Sequence, residues 1–269
     1  MNAMNVEFIM YQKTIKSFDR TEIYFIINRV SSTQPFIIFI HGAGSNHSVY
    51  KPFFHAFEFH NFIALDLRNH GRSGKARLET ITIKNFAKDI EAIVAEEKIQ
   101  EIIIIGNSLG AAVALEFYKN NRKKTKQMVL FTLFSKRYIK SAVFFHILTI
   151  IASMLIIPFS GWRNLKFQDY HKYKERPIWY YPYLDVRGTP IGTVLKLIRE
   201  LFSYSFSLTT VKIPTLLFVC IDDFITKNTV IQSDSKENKH ITIINLKSYH
   251  VPLTRNYKEI IKHVQTFLQ

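Results

Sequence analysis
A chain of 269 residues can bury a large core, either as one domain with an insertion or as two small domains. Hydrophobic residues make up 47% and charged residues 21%, with 23 Phe and 13 Tyr, a composition that excludes disordered and fibrous classes. Lys and Arg outnumber Asp and Glu by 36 to 21, a formal charge of +15, which favours anionic partners such as lipid headgroups or an acidic carrier protein. Charge alone does not make a nucleic-acid binder. No zinc-type spacing of Cys and His and no aromatic and basic motif of an RNA-binding sheet is present, so neither a metal nor a nucleic acid is expected.

The first residues, Met1 to Met10, lack a basic start and a continuous apolar stretch, so they do not read as a secretory signal and the default location is cytoplasmic. Tyr11 to Lys16 and Glu22 to Asn28 are short β-prone runs around a polar turn and predict an antiparallel hairpin. Phe36 to Ile40, Phe62 to Leu65, Ile102 to Ile105, Met128 to Leu133, Thr215 to Val219 and Ile241 to Asn245 follow. They are short and apolar, as strands covered on both faces should be. Helical periodicity marks Ile81 to Lys98, Leu109 to Asn120, Gly192 to Phe202 and Tyr257 to Leu268. The lysine-rich stretch Asn120 to Gln127 reads as a solvated helix end and loop.

Strands alternating with helices predict an α/β fold with a mostly parallel sheet, helices on both faces and the hairpin as an antiparallel edge. The alternation fails between residues 134 and 210, so residues 1–133 and 211–269 are read as the core and 134–210 as a helical cap insertion. The single cysteine, Cys220, lies in the apolar run Thr215 to Ile221 and reads as a core residue, which excludes a disulfide framework.

Gly106, Asn107, Ser108, Leu109 and Gly110 form a G-x-S-x-G pentapeptide between a strand and a helix. At such a turn the serine is held in a strained backbone conformation, and glycines are needed where strand and helix approach closely. The Leu109 N–H would lie at a helix N-terminus, where a developing negative charge is stabilised. His41, Gly42, Ala43 and Gly44 make a tight turn after a strand, and the Ala43 N–H is a second candidate oxyanion donor. A serine nucleophile needs a base and a carboxylate to orient it. Asp222 and Asp223 follow one later strand and His250 follows the next, in the order Ser, Asp, His. On the residues alone either aspartate fits.

This pattern resembles the α/β-hydrolase family, particularly its capped esterases, monoacylglycerol lipases and carrier-protein methyl ester carboxylesterases, over nearly the whole chain. The run Asp66, Leu67, Arg68, Asn69, His70, Gly71, Arg72, Ser73 is similar to the family's D-x-R-x-x-G-x-S loop. The resemblance implies the α/β-hydrolase fold and a scaffold role for Asp66, Arg68 and Gly71, with His70 a loop residue and His41 a brace for the oxyanion turn. It also favours Asp223 over Asp222 as the triad acid, because Asp223, Phe224 and Ile225 match the family's D-x-[IV], although Cys220 stands where a glycine is usual. An acid after the preceding strand is disfavoured, since Phe134 to Lys140 contains no carboxylate.

Ala142 to Phe159 is an 18-residue stretch without a charge, long enough to be a spanning-helix candidate. A bilayer crossing there would separate Ser108 from Asp223 and His250, so it is read instead as an apolar cap helix that covers an acyl pocket or lies on a membrane surface. Phe144, Phe145, Trp162, Trp179, Tyr180 and Tyr181 are candidates for aromatic packing in that region. The expected activity is cofactor-free serine hydrolysis of a carboxylic ester with a hydrophobic acyl chain. A thioesterase or acyl-carrier-protein methyl esterase and a slow-turnover ligand sensor of the same fold are the alternatives.

Overall fold
The computed structural model describes residues 10–140, 142–156, 167–173, 180, 184, 187–223, 225–250, 252–254 and 256–269. Among them the strands are β1 (Tyr11–Lys16), β2 (Glu22–Asn28), β3 (Phe36–Ile40), β4 (Asn61–Leu65), β5 (Ile102–Asn107), β6 (Thr125–Phe131), β7 (Thr215–Cys220) and β8 (Ile241–Leu246). They form one sheet in the order β1-β2-β4-β3-β5-β6-β7-β8. The leading hairpin β1–β2 joins β4 in antiparallel fashion, and every pair from β4 onward is parallel. This is the α/β-hydrolase fold expected from the strand pattern and the resemblance.

The described helices are α1 (Lys51–Ala56), α2 (Ile83–Glu96), α3 (Leu109–Asn120), α4 (Ala142–Ile156), α5 (Ile191–Ser203), α6 (Asn228–Lys236) and α7 (Tyr257–Leu268). β3, β4, β5 and β7 are buried along their whole length, the mark of strands covered on both faces. One core layer packs α2 and α3 against Ile38, Ile104, Met128 and Leu217. The other packs α1 and α7 against Phe39, Ile105, Val129 and Phe218. Successive strand residues therefore serve opposite layers, as the two-residue period of a strand requires.

α2 begins two residues later than its periodicity suggests, because the Thr82 hydroxyl accepts the Asn85 N–H and caps the helix there. The loop reading of Asn120 to Gln127 is corrected at its end. β6 starts at Thr125, which is buried and paired with Ile102, so the basic loop is shorter than its composition implies. α1 and α6 were not anticipated. α1 is short and carries Pro at its start, and α6 is polar over most of its length, so neither shows a clear apolar stripe.

Between β6 and β7 the described residues contain helices and no strand. α4 and α5 pack on each other there, and α5 also sends Leu197, Leu201 and Phe202 into the α2–α3 layer. No helix among the described residues is long and apolar enough to cross a membrane. Of the aromatic candidates in this region, Tyr180 packs on the α1–α7 layer and Phe144 is exposed. Trp162, Trp179, Tyr181 and the side chain of Phe145 lie outside the described residues.

Candidate active site
Ser108 sits between β5 and α3 with φ 53° and ψ −110°, a conformation that costs a residue with a Cβ roughly 1–3 kcal/mol. Two close approaches hold the turn in place. A Cβ on Gly110 would lie 2.1 Å from the Ile40 carbonyl oxygen of β3, and one on Gly106 would lie 2.4 Å from the Gly110 carbonyl oxygen. Both glycines of the pentapeptide are thus required by contact, as the motif suggested. The Ser108 N–H donates to the Phe131 carbonyl at 3.0 Å, so the amides left at the helix start begin with Leu109.

The hydroxyl of Ser108 lies 3.0 Å from His250 Nε2, and His250 Nδ1 lies 2.8 Å from Asp223 Oδ2. An ionised carboxylate only accepts, so Nδ1 carries the imidazole proton and Nε2 is left to accept from the serine. Asp223 is 2% exposed, whereas the neighbouring Asp222 is exposed. Burial pushes the Asp223 carboxyl up, but the bond from His250, its charge and the bonds from Ile225 N–H and Thr226 Oγ outweigh this and hold it below the ordinary range. The Ile225 bond closes an Asx-turn, and Thr226 donates to Oδ2 from three residues on. Those two supports went unread in the sequence, though an aspartate followed closely by a threonine at a strand end is a legible turn signal. Phe134 meets the His250 ring edge to face, with centroids 5.9 Å apart.

The turn after β3 leans on the serine turn, since a Cβ on Gly42 would lie 3.6 Å from that of Ser108. This sets Ala43, partly buried against the core, beside the site. No described residue accepts from the N–H of Ala43 or Leu109. Two buried histidines brace the turn. His41 pairs Nδ1 with the Gly42 carbonyl and accepts the Leu67 N–H at Nε2; His70 pairs Nδ1 with the Arg68 carbonyl and accepts the Gly44 N–H at Nε2. Burial pushes them down to about 4 and about 3, so both are neutral at pH 7, and with both nitrogens occupied neither is free to act as a base on Ser108. From the 134–210 segment, Tyr170 and Thr189 hydroxyls both donate to the Gly44 carbonyl, tying that segment to the same turn.

The D-x-R-x-x-G-x-S loop lies behind these residues and is built of buried charge. Arg68, fully buried, donates from Nε to Asp89 at 2.8 Å and from Nη1 to Asp19 at 2.7 Å. Asp66 accepts from the N–H and ring Nδ1 of His47 and from the Arg72 N–H. Gly71 has φ 53° and a Cβ there would lie 2.2 Å from Asp66 Oδ2, so the loop's glycine is needed on both counts. Among the described residues no group of acidic, His or Cys side chains is arranged to hold a metal. Cys220 is buried, and burial pushes its thiol well above the ordinary range, consistent with a packing residue.

Residues 31–250 match the hydrolase family described as serine aminopeptidase, S33. Among curated proteins, "Putative esterase/lipase 2" of Mycoplasma pneumoniae is 26% identical over 95 residues, 35% of each chain. An alcohol acetyltransferase of Cyberlindnera fabianii, named as probable, is 32% identical over 82 residues, 29% of this chain and 22% of that protein. These matches span about a third or less of the relatives' length. Solved structures match over nearly the whole chain. A hydrolase from Pseudomonas aeruginosa has a TM-score of 0.76 at 14% identity, covering 99% of each chain. An esterase from Exiguobacterium antarcticum has 0.76 at 15% identity, covering 96% of this chain and 99% of its own. At such identities they establish the fold. With the family match over residues 31–250 and a mostly parallel eight-stranded sheet, the chain belongs to the serine aminopeptidase S33 family of α/β hydrolases.

Proposed function
We propose that the protein is a serine esterase that cleaves a carboxylic ester with a hydrophobic acyl chain. One observation carries the reading: the hydrogen-bonded line from Ser108 Oγ through His250 to Asp223, 3.0 and 2.8 Å long, beneath a positive-φ turn. Ser108 Oγ attacks the ester carbonyl carbon and its proton passes to His250 Nε2. The Ala43 and Leu109 N–H groups receive the oxyanion of the tetrahedral intermediate, each such donor being worth roughly 10²- to 10³-fold in rate. As the intermediate collapses, the C–O bond to the alcohol breaks and His250 returns the proton to the leaving oxygen. Water, deprotonated by His250, then attacks the acyl carbon, the bond to Ser108 Oγ breaks, His250 returns the proton to Oγ, and the acid is released.

Asp223 stays ionised through this cycle and stabilises the imidazolium, which its lowered pKa supports. The hydrophobic acyl group is inferred from the apolar, aromatic composition between residues 134 and 210. The name of the Mycoplasma relative agrees with an esterase reading.

Hydrolysis of nitrophenyl esters of graded chain length by the wild type and by Ser108→Ala is the test. Loss of roughly a millionfold in kcat is expected, as for nucleophile removal in other serine hydrolases. Retention of full activity by the mutant would sink the mechanism. Running the matching thioesters alongside ranks the acyl donors, because both give the same acyl-enzyme.

A further inference from the structure
α4 carries on one side an apolar surface that the fold leaves facing outward. Val143, Ile147, Leu148, Ile151, Met154 and Leu155 are between 50% and 74% exposed. At the helical repeat they fall within an arc about 140° wide. Single exposed apolar residues are ordinary, but a continuous stripe of them on one helix marks an interaction surface. Elsewhere α4 packs against α5, so the stripe is the outer face of an otherwise seated helix.

Charge decides what fits this surface. α4 contains no Asp, Glu, Lys or Arg, and the chain has no acidic residue between Glu116 and Asp169 but ten Lys and Arg. At the helix root Lys136, Arg137 and Lys140 are exposed. Arg137 is already paired with Asp234 at 2.6 Å, which leaves for an outside partner Lys136 and the remaining donors of the Lys140 ammonium, one of which is taken by the Asp223 carbonyl. A second copy of the chain would bring together two molecules of formal charge +15, so self-association on this face is opposed by charge. An anionic surface is favoured by it. Among the described residues the helix is 15 residues, about 22 Å long, against the roughly 30 Å core of a bilayer. It suits lying in an interface rather than crossing one.

We propose that the outer face of α4 docks on an anionic lipid bilayer, with the helix in the interfacial plane and Lys136 and Lys140 at the headgroups. The root of the helix is strapped to the loop that holds Asp223. Ile139 bridges to Thr226, the Lys140 N–H donates to the Ile225 carbonyl at 2.8 Å, and Lys140 Nζ donates to the Asp223 carbonyl at 3.3 Å. Docking would therefore bring lipid to the flank of the Ser108 site. The docking itself does not depend on the esterase reading, because it is measured without turnover.

The experiment is co-sedimentation of the full chain with phosphatidylcholine vesicles prepared with and without phosphatidylserine. Binding is expected only with phosphatidylserine, weakened at least tenfold by high salt and at least tenfold by Ile151→Glu combined with Met154→Glu. That variant should keep the wild-type melting temperature and its rate on a soluble short-chain ester, and Ile151→Leu should bind like the wild type. Equal binding to neutral vesicles, no binding to either, or equal binding by the double variant overturns the proposal. So does a concentration-dependent dimer abolished by the double variant without vesicle binding, which would give the face to a second copy. If the glutamate variant does not fold, the lipid and salt dependence of the wild type still decides.

Discussion
His47 and His250 each place Nδ1 2.8 Å from a buried aspartate oxygen, Asp66 in the first case and Asp223 in the second. The local chemistry of the two pairs is nearly the same. Their surroundings differ: the His47 side chain is 3% exposed and sits between the rings of Tyr24 and Phe167, while that of His250 is 17% exposed and turns Nε2 toward Ser108. On the proposed mechanism, a carboxylate–imidazole pair is a scaffold or a reaction centre according to whether its second nitrogen reaches a nucleophile. Geometry within the pair does not tell the two apart.

Substitutions at the two pairs should separate them. The largest effect is expected from Asp223→Asn, which keeps the shape but offers the wrong partner to Nδ1, with kcat falling about 10⁴-fold and little change in melting temperature. Asp222→Asn, one residue away and exposed, should leave the same ester assay unchanged within twofold, and a matching loss there would reassign the acid. His47→Ala should do the opposite of Asp223→Asn. It removes a bond to a fully buried carboxylate, so denaturant unfolding should report a loss of about 3 kcal/mol while kcat per folded molecule stays near wild type.

A pH effect of similar or smaller size belongs to a second pair of buried histidines. His41 and His70 are held at about 4 and about 3 by burial, whereas an unfolded chain takes up those protons near pH 6.5. The unfolded state thus binds more protons between these values, and stability falls as pH drops below about 6.5. Two such groups should together remove about 3 kcal/mol between pH 6.5 and 5, measured by urea unfolding. A flat profile over that range would mean that these histidines are not buried in the neutral form. The lowered Asp223 contributes nothing to this window, since its stabilisation is lost only as pH falls below about 4.

How much of this was legible in the chain follows from which features backbone geometry dictates. The serine turn was readable because two close approaches, Gly110 on β3 and Gly106 on α3, admit no side chain, and such constraints leave a fixed residue pattern. The choice between Asp222 and Asp223 was not dictated in that way. It depends on which side chain turns inward just after β7 ends at Cys220, and adjacent residues at a turn carry no period to decide it. The link from Asp66 to His47 was also invisible. The two residues are 19 apart on different loops and meet only because β3 and β4 are neighbours in the sheet, an arrangement no local spacing encodes. The bracing role of His70 escaped for the same reason: its partner, the Gly44 N–H, lies 26 residues away.

The φ of Ser108 has a further consequence for how the chain can change. At 53° the position would suit glycine, and a drift toward stability alone would tend to place one there. Holding a side chain at that point lowers stability locally, and the close packing around Gly106 and Gly110 keeps the turn from relaxing. On the proposed mechanism, the serine turn is a place where selection for folding and selection for reactivity pull in opposite directions. A descendant of this chain that lost its chemistry would be released from that conflict, and position 108 is where the release would first be expected to leave a mark.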